Sequence, residues 1–236
     1  MTGRDDPATV AEQYRSEDNL RARQALWTNL EGDNAPVVLA RILESLEPHD
    51  VLEIGGGQGE LAEWMQTALG ARVTFLDQSE RMVELARARG VLEARVGDAQ
   101  DLPFVAESFD TVVAAWMLYH VPDVNRALAE VARVLRTGGR LVAVTNSLRH
   151  IEELRELFGA LEGFEKQFNA ENGEAILRRQ FRDVERTDAE VVAVGDERET
   201  LEAYRRSLSY ETRPLPDEIA FPFRVHGRTT IFVAAK

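Results

Sequence analysis

Cysteine is absent from the 236 residues. That rules out a disulfide framework, a thiolate nucleophile and any metal held by sulfur from cysteine. Positive charge is scarce as well: 28 Lys and Arg stand against 41 Asp and Glu, a formal net charge of −13. Such a balance repels polyphosphate backbones, so no nucleic-acid partner is expected. No apolar run approaches the ~20 residues a helix needs to span a bilayer, and none follows Met1-Thr2-Gly3-Arg4-Asp5-Asp6-Pro7 as in a secretory signal. The expectation is a cytoplasmic protein without a membrane partner. The four histidines (His49, His120, His150, His226) lack ligand spacing, so no metal site is expected.

What the chain does have is a dense run of glycine at Val51-Leu52-Glu53-Ile54-Gly55-Gly56-Gly57-Gln58-Gly59. It reads as a buried strand, a tight turn, and a helix opening at Glu60. Without side chains at Gly55, Gly57 and Gly59 a backbone can come into contact with a ligand, and the following helix N-terminus favours an anionic group. Counted from Gly55, the dinucleotide pattern G-x-G-x-x-G requires glycine at position 60, where this chain has Glu60. The register fits E-x-G-x-G-x-G from Glu53 instead.

Apolar runs and amphipathic stretches alternate around that turn. Residues from about Ala8 to Leu46 read as two helices, the first with Leu20, Leu26, Trp27 and Leu30 on one face, the second opened by Pro36. Strands are expected at Val73–Asp77, Leu92–Val96, Phe109–Trp116, Arg140–Thr145, Val184–Val194 and Val225–Ala235. Ser79 and Asp123 are candidate N-caps, and Thr137-Gly138-Gly139 a helix stop. Further helices are expected near 150–161, 173–180 and 200–208. The pattern predicts an α/β fold, a parallel sheet with helices on both faces. With no repeat or low-complexity linker, residues 1–236 are expected to form a single domain.

Four blocks, VLEIGGGQGELAEWM, FLDQSERMVELARARG, VGDAQDLPFVAESFDTVVAAWMLYHVPD and RVLRTGGRLVAVTN, occur in that order. Together they resemble the class I S-adenosylmethionine-dependent methyltransferases, in the small-molecule branch with the type-11 methyltransferase domain. The resemblance covers about residues 50–147 and implies a Rossmann-like, seven-stranded sheet, mostly parallel with a final antiparallel strand and helices on both faces. It also implies a cofactor-binding core over 50–147, an N-terminal helical lid over 8–46, and substrate-covering helices and last strands over 148–236.

The cofactor implied is S-adenosylmethionine, released as S-adenosylhomocysteine. Gly55, Gly57 and Gly59 would wrap its methionine part, with Glu53 steering the turn or meeting the amino group through water. Asp77 would accept from both ribose hydroxyls, and Gln78 and Met82 would lie against ribose and adenine. Asp98 would accept from the adenine exocyclic amine while the Ala99 N–H approaches a ring nitrogen. The Ala115 carbonyl would meet the methionine amino group, with Trp116 beside the reaction chamber. Tyr14, on the lid, could meet the methionine carboxylate or the reacting methyl, and Arg21 is a second candidate for that carboxylate. His120 could take a proton from the acceptor or serve only the turn Tyr119-His120-Val121-Pro122.

The implied function is methyl transfer to an oxygen, nitrogen or carbon of a small-molecule acceptor, by a monomer or homodimer. The alternatives are a non-catalytic S-adenosylmethionine-binding protein of the same fold, or a protein methyltransferase.

Overall fold

A computed structural model describes residues 26–27, 30–159, 167–208 and 212–236. Eight strands, β1 (Leu30–Gly32), β2 (Asp50–Ile54), β3 (Arg72–Asp77), β4 (Glu93–Val96), β5 (Phe109–Ala115), β6 (Leu135–Asn146), β7 (Asp183–Gly195) and β8 (Phe223–Ala235), hydrogen-bond in the order β1-β7-β8-β6-β5-β2-β3-β4. The pairs β2–β3, β2–β5, β3–β4 and β5–β6 are parallel, whereas β6–β8 and β1–β7 are antiparallel. Seven of these strands were expected, and the eighth is β1.

Chain contacts divide the fold into two compact units. The larger holds the described residues of Ala35–Ser147, Lys166–Asp188 and Thr229–Lys236. Its helices are α1 (Ala35–Leu46), α2 (Glu60–Ala68), α3 (Glu80–Ala88), α4 (Val124–Val134) and α6 (Gly173–Leu177). Side chains of a strand alternate between its faces, and the buried residues sort accordingly. Val51, Val73, Phe75, Val113, Val142 and Ile231 pack with Leu39 and Leu43 of α1, Met65 of α2 and Val83 of α3. Their neighbours Leu52, Ile54, Val112, Ala114, Leu141 and Phe232 pack with Leu128 and Val131 of α4 and Leu177 of α6. Helices therefore cover both faces. The continuous apolar run of β5 is buried on both sides, as an interior parallel strand requires.

Two caps hold as expected. Ser79 Oγ accepts from the Met82 N–H at 3.4 Å and opens α3; Asp123 Oδ1 accepts from the Arg126 N–H at 3.0 Å and opens α4. Gly138 and Gly139 are not the helix stop. Helix α4 ends at Val134 and β6 begins at Leu135. The glycines fall where the register of β5 against β6 jumps from Phe109–Leu135 to Thr111–Arg140, a bulge in the strand. A Cβ on Gly139 would stand 2.9 Å from the carbonyl oxygens of Arg136 and Asp110, so the bulge needs glycine for space.

The smaller unit draws on the described residues of 1–34, Leu148–Glu165 and Ala189–Arg228, with helices α5 (Glu152–Phe158) and α7 (Arg198–Arg206). Leu26, Leu154, Phe158, Ala193, Leu201, Tyr204 and Val225 form its core. Here Leu30, expected on a helix, starts β1, because Leu30–Gly32 pairs with Val191–Ala193. Tertiary pairing overrides a local helical pattern in such a short segment. Gly32 has φ 105°, and a Cβ there would meet the Glu190 carbonyl oxygen at 2.6 Å. Tyr14, Arg21 and most of the expected helical lid lie outside the described residues. No helix among the described residues is long and apolar enough to cross a membrane.

Candidate cofactor site

Strand β2 runs out at Ile54 between β3 on one side and β5 on the other, and the chain goes on to each in turn. That is a topological switch point, where open α/β sheets take ligands beyond the carboxyl ends of their strands. The glycine turn occupies it, and its glycines serve different ends. Gly55 has φ 65°, and a Cβ there would lie 2.8 Å from Met117 Cβ. Gly59, at φ 80° before α2, approaches Ala86 of α3 so closely that a Cβ would stand 2.8 Å from the alanine Cβ. Gly57, at φ 58°, has nothing within 4 Å of the Cβ position. Of the three, Gly57 is the one whose missing side chain leaves open space rather than room for the protein itself.

Gly56, absent from the sequence-level candidates, has the most specific reason to be glycine. Its Cβ would stand 2.4 Å from Glu53 Cδ and 2.5 Å from Oε1. The Glu53 carboxyl is folded against the turn that follows it. It is 1% exposed, accepts from the Ala62 N–H at the start of α2, and its Oε2 has no hydrogen-bond partner among the described residues. Burial, with the Asp77 carboxylate nearby, pushes its pKa up from 4.5 to about 8.

Asp77, 8% exposed, ends β3. One of its oxygens accepts from the Ser79 N–H at 2.8 Å, and the Gly57 N–H donates to it too. Burial raises its pKa despite these donors. The acid of one strand end is thereby tied to the glycine turn of the next. Gln78 beside it is exposed and Met82, in the first turn of α3, is half-buried.

At the end of β4 the Asp98 side chain is exposed and Ala99 is buried. Asp98 is held by Gln100, another residue that sequence reading missed. The Gln100 N–H donates to Oδ1 at 2.8 Å, and its side-chain amide donates to Oδ1 and Oδ2 at 3.2 and 3.1 Å. Beyond the end of β5, after Ala115, Trp116 adopts φ 54°, a left-handed backbone that costs a bulky residue on the order of 1–2 kcal/mol. It is held by its backbone N–H on the Val144 carbonyl at 2.9 Å and its indole N–H on Asn146 Oδ1 at 3.2 Å, where Thr229 Oγ1 also donates at 3.0 Å. His120 lies in the short 3₁₀ turn Leu118–His120, its ring edge-on to Tyr119 with centroids 4.4 Å apart. Among the described residues no cluster of His, Asp and Glu could hold a metal ion.

Glu53, Gly57, Asp77, Asp98 and Ala115 thus lie at or just past the carboxyl ends of four neighbouring parallel strands. With a reversed last strand beyond β6, this arrangement defines the Rossmann-like class I methyltransferase fold. The crystal structure of YcgJ from Bacillus subtilis has the same fold, with a TM-score of 0.62 at 19% identity over 85% of this chain and 98% of that one. Residues 52–143 match the family model described as a methyltransferase domain. Over that segment the chain is similar to the class I S-adenosylmethionine-dependent methyltransferases of the type-11 domain family.

Among curated relatives, the ubiquinone/menaquinone biosynthesis C-methyltransferase UbiE of Paracoccus denitrificans is 34% identical over 128 residues, 50% of this chain and 51% of that protein. The 27-O-demethylrifamycin SV methyltransferase of Amycolatopsis mediterranei is 43% identical over 98 residues, 39% of this chain and 36% of that one. The chain therefore spans about a third to a half of the length of these relatives.

The residues present fit the family's cofactor. The open space at Gly57 admits a ligand backbone-close, and Glu53 Oε2, without a partner among the described residues, lies with Asp77 in a desolvated wall whose carboxyl oxygens can accept from an ammonium and a vicinal diol.

Proposed function

We propose that this protein transfers a methyl group from S-adenosylmethionine to a small-molecule acceptor. The observation that carries the reading is the buried acid pair Glu53 and Asp77 under a glycine turn whose open member, Gly57, donates to Asp77. Bound S-adenosylmethionine supplies a methyl group already activated on a sulfonium. The chain's share is to hold it, to align the acceptor and to exclude water. Asp77 would receive the ribose hydroxyls, Gln78 and Met82 would flank ribose and adenine, and Asp98 with the Ala99 N–H would meet the adenine edge. Gly55, Gly57 and Gly59 would line the methionine part, and Glu53 with the Ala115 carbonyl would face its amino group. The indole of Trp116, fixed through Asn146, would form one wall beside the reacting methyl. His120 would take the acceptor proton where the acceptor carries one.

The small-molecule assignment draws support from relatives named for ubiquinone/menaquinone biosynthesis and for 27-O-demethylrifamycin SV. Calorimetric titration with S-adenosylhomocysteine tests the cofactor seat: the wild type binds, and Asp77→Ala loses at least tenfold in affinity. Equal binding by both would reject it. Turnover is tested by S-adenosylhomocysteine release with a panel of hydroquinones and hydroxylated macrocycles, and His120→Asn is expected to slow it without weakening cofactor binding.

A further inference from the structure

The clamp on Asp98 has more content than a turn requires. An ionised carboxylate offers about four acceptor positions. In Asp98 the Gln100 backbone N–H takes one on Oδ1, and the Gln100 amide takes one more on each oxygen. Among the described residues nothing takes the fourth position, on Oδ2. The amide cannot turn over to offer its oxygen, because Gln100 Oε1 accepts from the Asp123 N–H at 3.0 Å. Asp123 is itself fixed as the N-cap of α4. The rest of the segment is anchored to the same helix: Glu130 accepts from the Leu102 N–H at 2.9 Å, and Arg133 donates to the Leu102 and Phe104 carbonyls. An exposed aspartate would otherwise sample several rotamers. This one is held by a rigid frame, with a single acceptor to spare and no donor.

We infer that Gln100 is a positioning residue for base recognition, clamping Asp98 so that the site prefers a 6-aminopurine to a 6-oxopurine cofactor. The inference rests on the assignment of Asp98 to the adenine amine. An exocyclic amine donates to the remaining acceptor position. A 6-oxo group sets a carbonyl oxygen against a carboxylate, a mismatch that hydrogen-bonding sites reject strongly. Gln100 acts through Asp98 and touches no ligand atom itself.

The probes are S-adenosylhomocysteine and its deaminated analogue S-inosylhomocysteine, titrated calorimetrically into the full chain. The wild type is expected to favour the adenosyl compound by about 30-fold or more, of the order that one charge-assisted hydrogen bond gives. Gln100→Glu keeps an acceptor for the Asp123 N–H but turns a carboxylate toward Asp98. It should reduce that ratio at least about fivefold, with the thermal midpoint little changed. Gln100→Ala should lower the ratio as well. Asp98→Ala should bring it close to one. If both Gln100 variants keep the wild-type ratio while Asp98→Ala loses it, the positioning role is overturned and the Asp98 assignment stands. If Asp98→Ala itself keeps the ratio, the assignment of Asp98 to the amine fails, and the inference with it.

Discussion

Replacing Glu53 by Gln removes one titrating group from the inside of the larger unit and keeps an oxygen to accept the Ala62 N–H. The folded protein holds the Glu53 proton up to a pKa of about 8, whereas the unfolded chain releases it near 4.5. Between those values folding takes up a proton, so the contribution of Glu53 to stability is greatest below pH 4.5 and declines until the pH passes about 8. The slope is about 1.4 kcal/mol per pH unit. Allowing for partial ionisation near the upper end, the wild type loses about 2 kcal/mol between pH 6 and 8 on this account. In a chain of this length that corresponds to roughly 4–8 °C in Tm.

Glu53→Gln has no such proton to lose, and the mismatch of its amide with the pocket is the same at both pH values. Asp77, also raised by burial, remains in both proteins and acts in the same direction. Urea denaturation of the cofactor-free protein, followed by tryptophan fluorescence at pH 6 and pH 8, reads the difference. The stability of the Gln variant relative to wild type should rise by about 2 kcal/mol from the lower pH to the higher. Parallel pH dependence of the two proteins would refute the assignment of a buried, protonated Glu53.

Other substitutions separate space from function. Gly57→Ala should cost only the left-handed strain, about 1 kcal/mol, because nothing lies near its Cβ, yet it should weaken S-adenosylhomocysteine binding at least tenfold by filling the open space; calorimetry alongside urea melts decides this. Gly56→Ala, with its methyl 2.4 Å from Glu53 Cδ, should instead lose about 1–3 kcal/mol of stability in the same melts through overpacking. Asp110 accepts from the His49 N–H and, at 2.6 Å, from the Asp50 N–H where β2 begins. Asp110→Ala should therefore cost about 2 kcal/mol, read as a lowered urea midpoint with cofactor affinity unchanged. Leu128→Ala, in the fully buried face of α4, should cost about 2–5 kcal/mol by the same measure.

What could be read from the sequence was what depends on local pattern. The strand-turn-helix at Glu53–Glu60, the acid closing β3, and the caps Ser79 and Asp123 each announce themselves by residue type at a fixed offset. Strand β5 did so by the apolar run that starts at Val112. What could not be read depends on contacts far along the chain. Leu30–Gly32 is a strand because of residues some 160 positions later. Gly138 and Gly139 resembled a helix end, but they serve a bulge imposed by the neighbouring strand. Gln100 looked like one polar residue in a turn until Asp123 was seen to fix its amide. Gly56 does not stand out in the sequence, because the alternating Gly55, Gly57 and Gly59 carry the pattern. A signal for it did exist: an acid three residues earlier whose side chain, pointing inward, must end somewhere.

That meeting of Gly56 and Glu53 constrains the order in which this chain can change over evolutionary time. A side chain at position 56 comes without a stability cost only in a background where position 53 has already shortened or turned away, since both would claim one volume. The reverse step, restoring a long acid folded against the turn, meets the same cost once 56 has gained a Cβ. Among descendants of this chain the two positions should accordingly change as a linked pair, with the loss at 53 favoured as the first step.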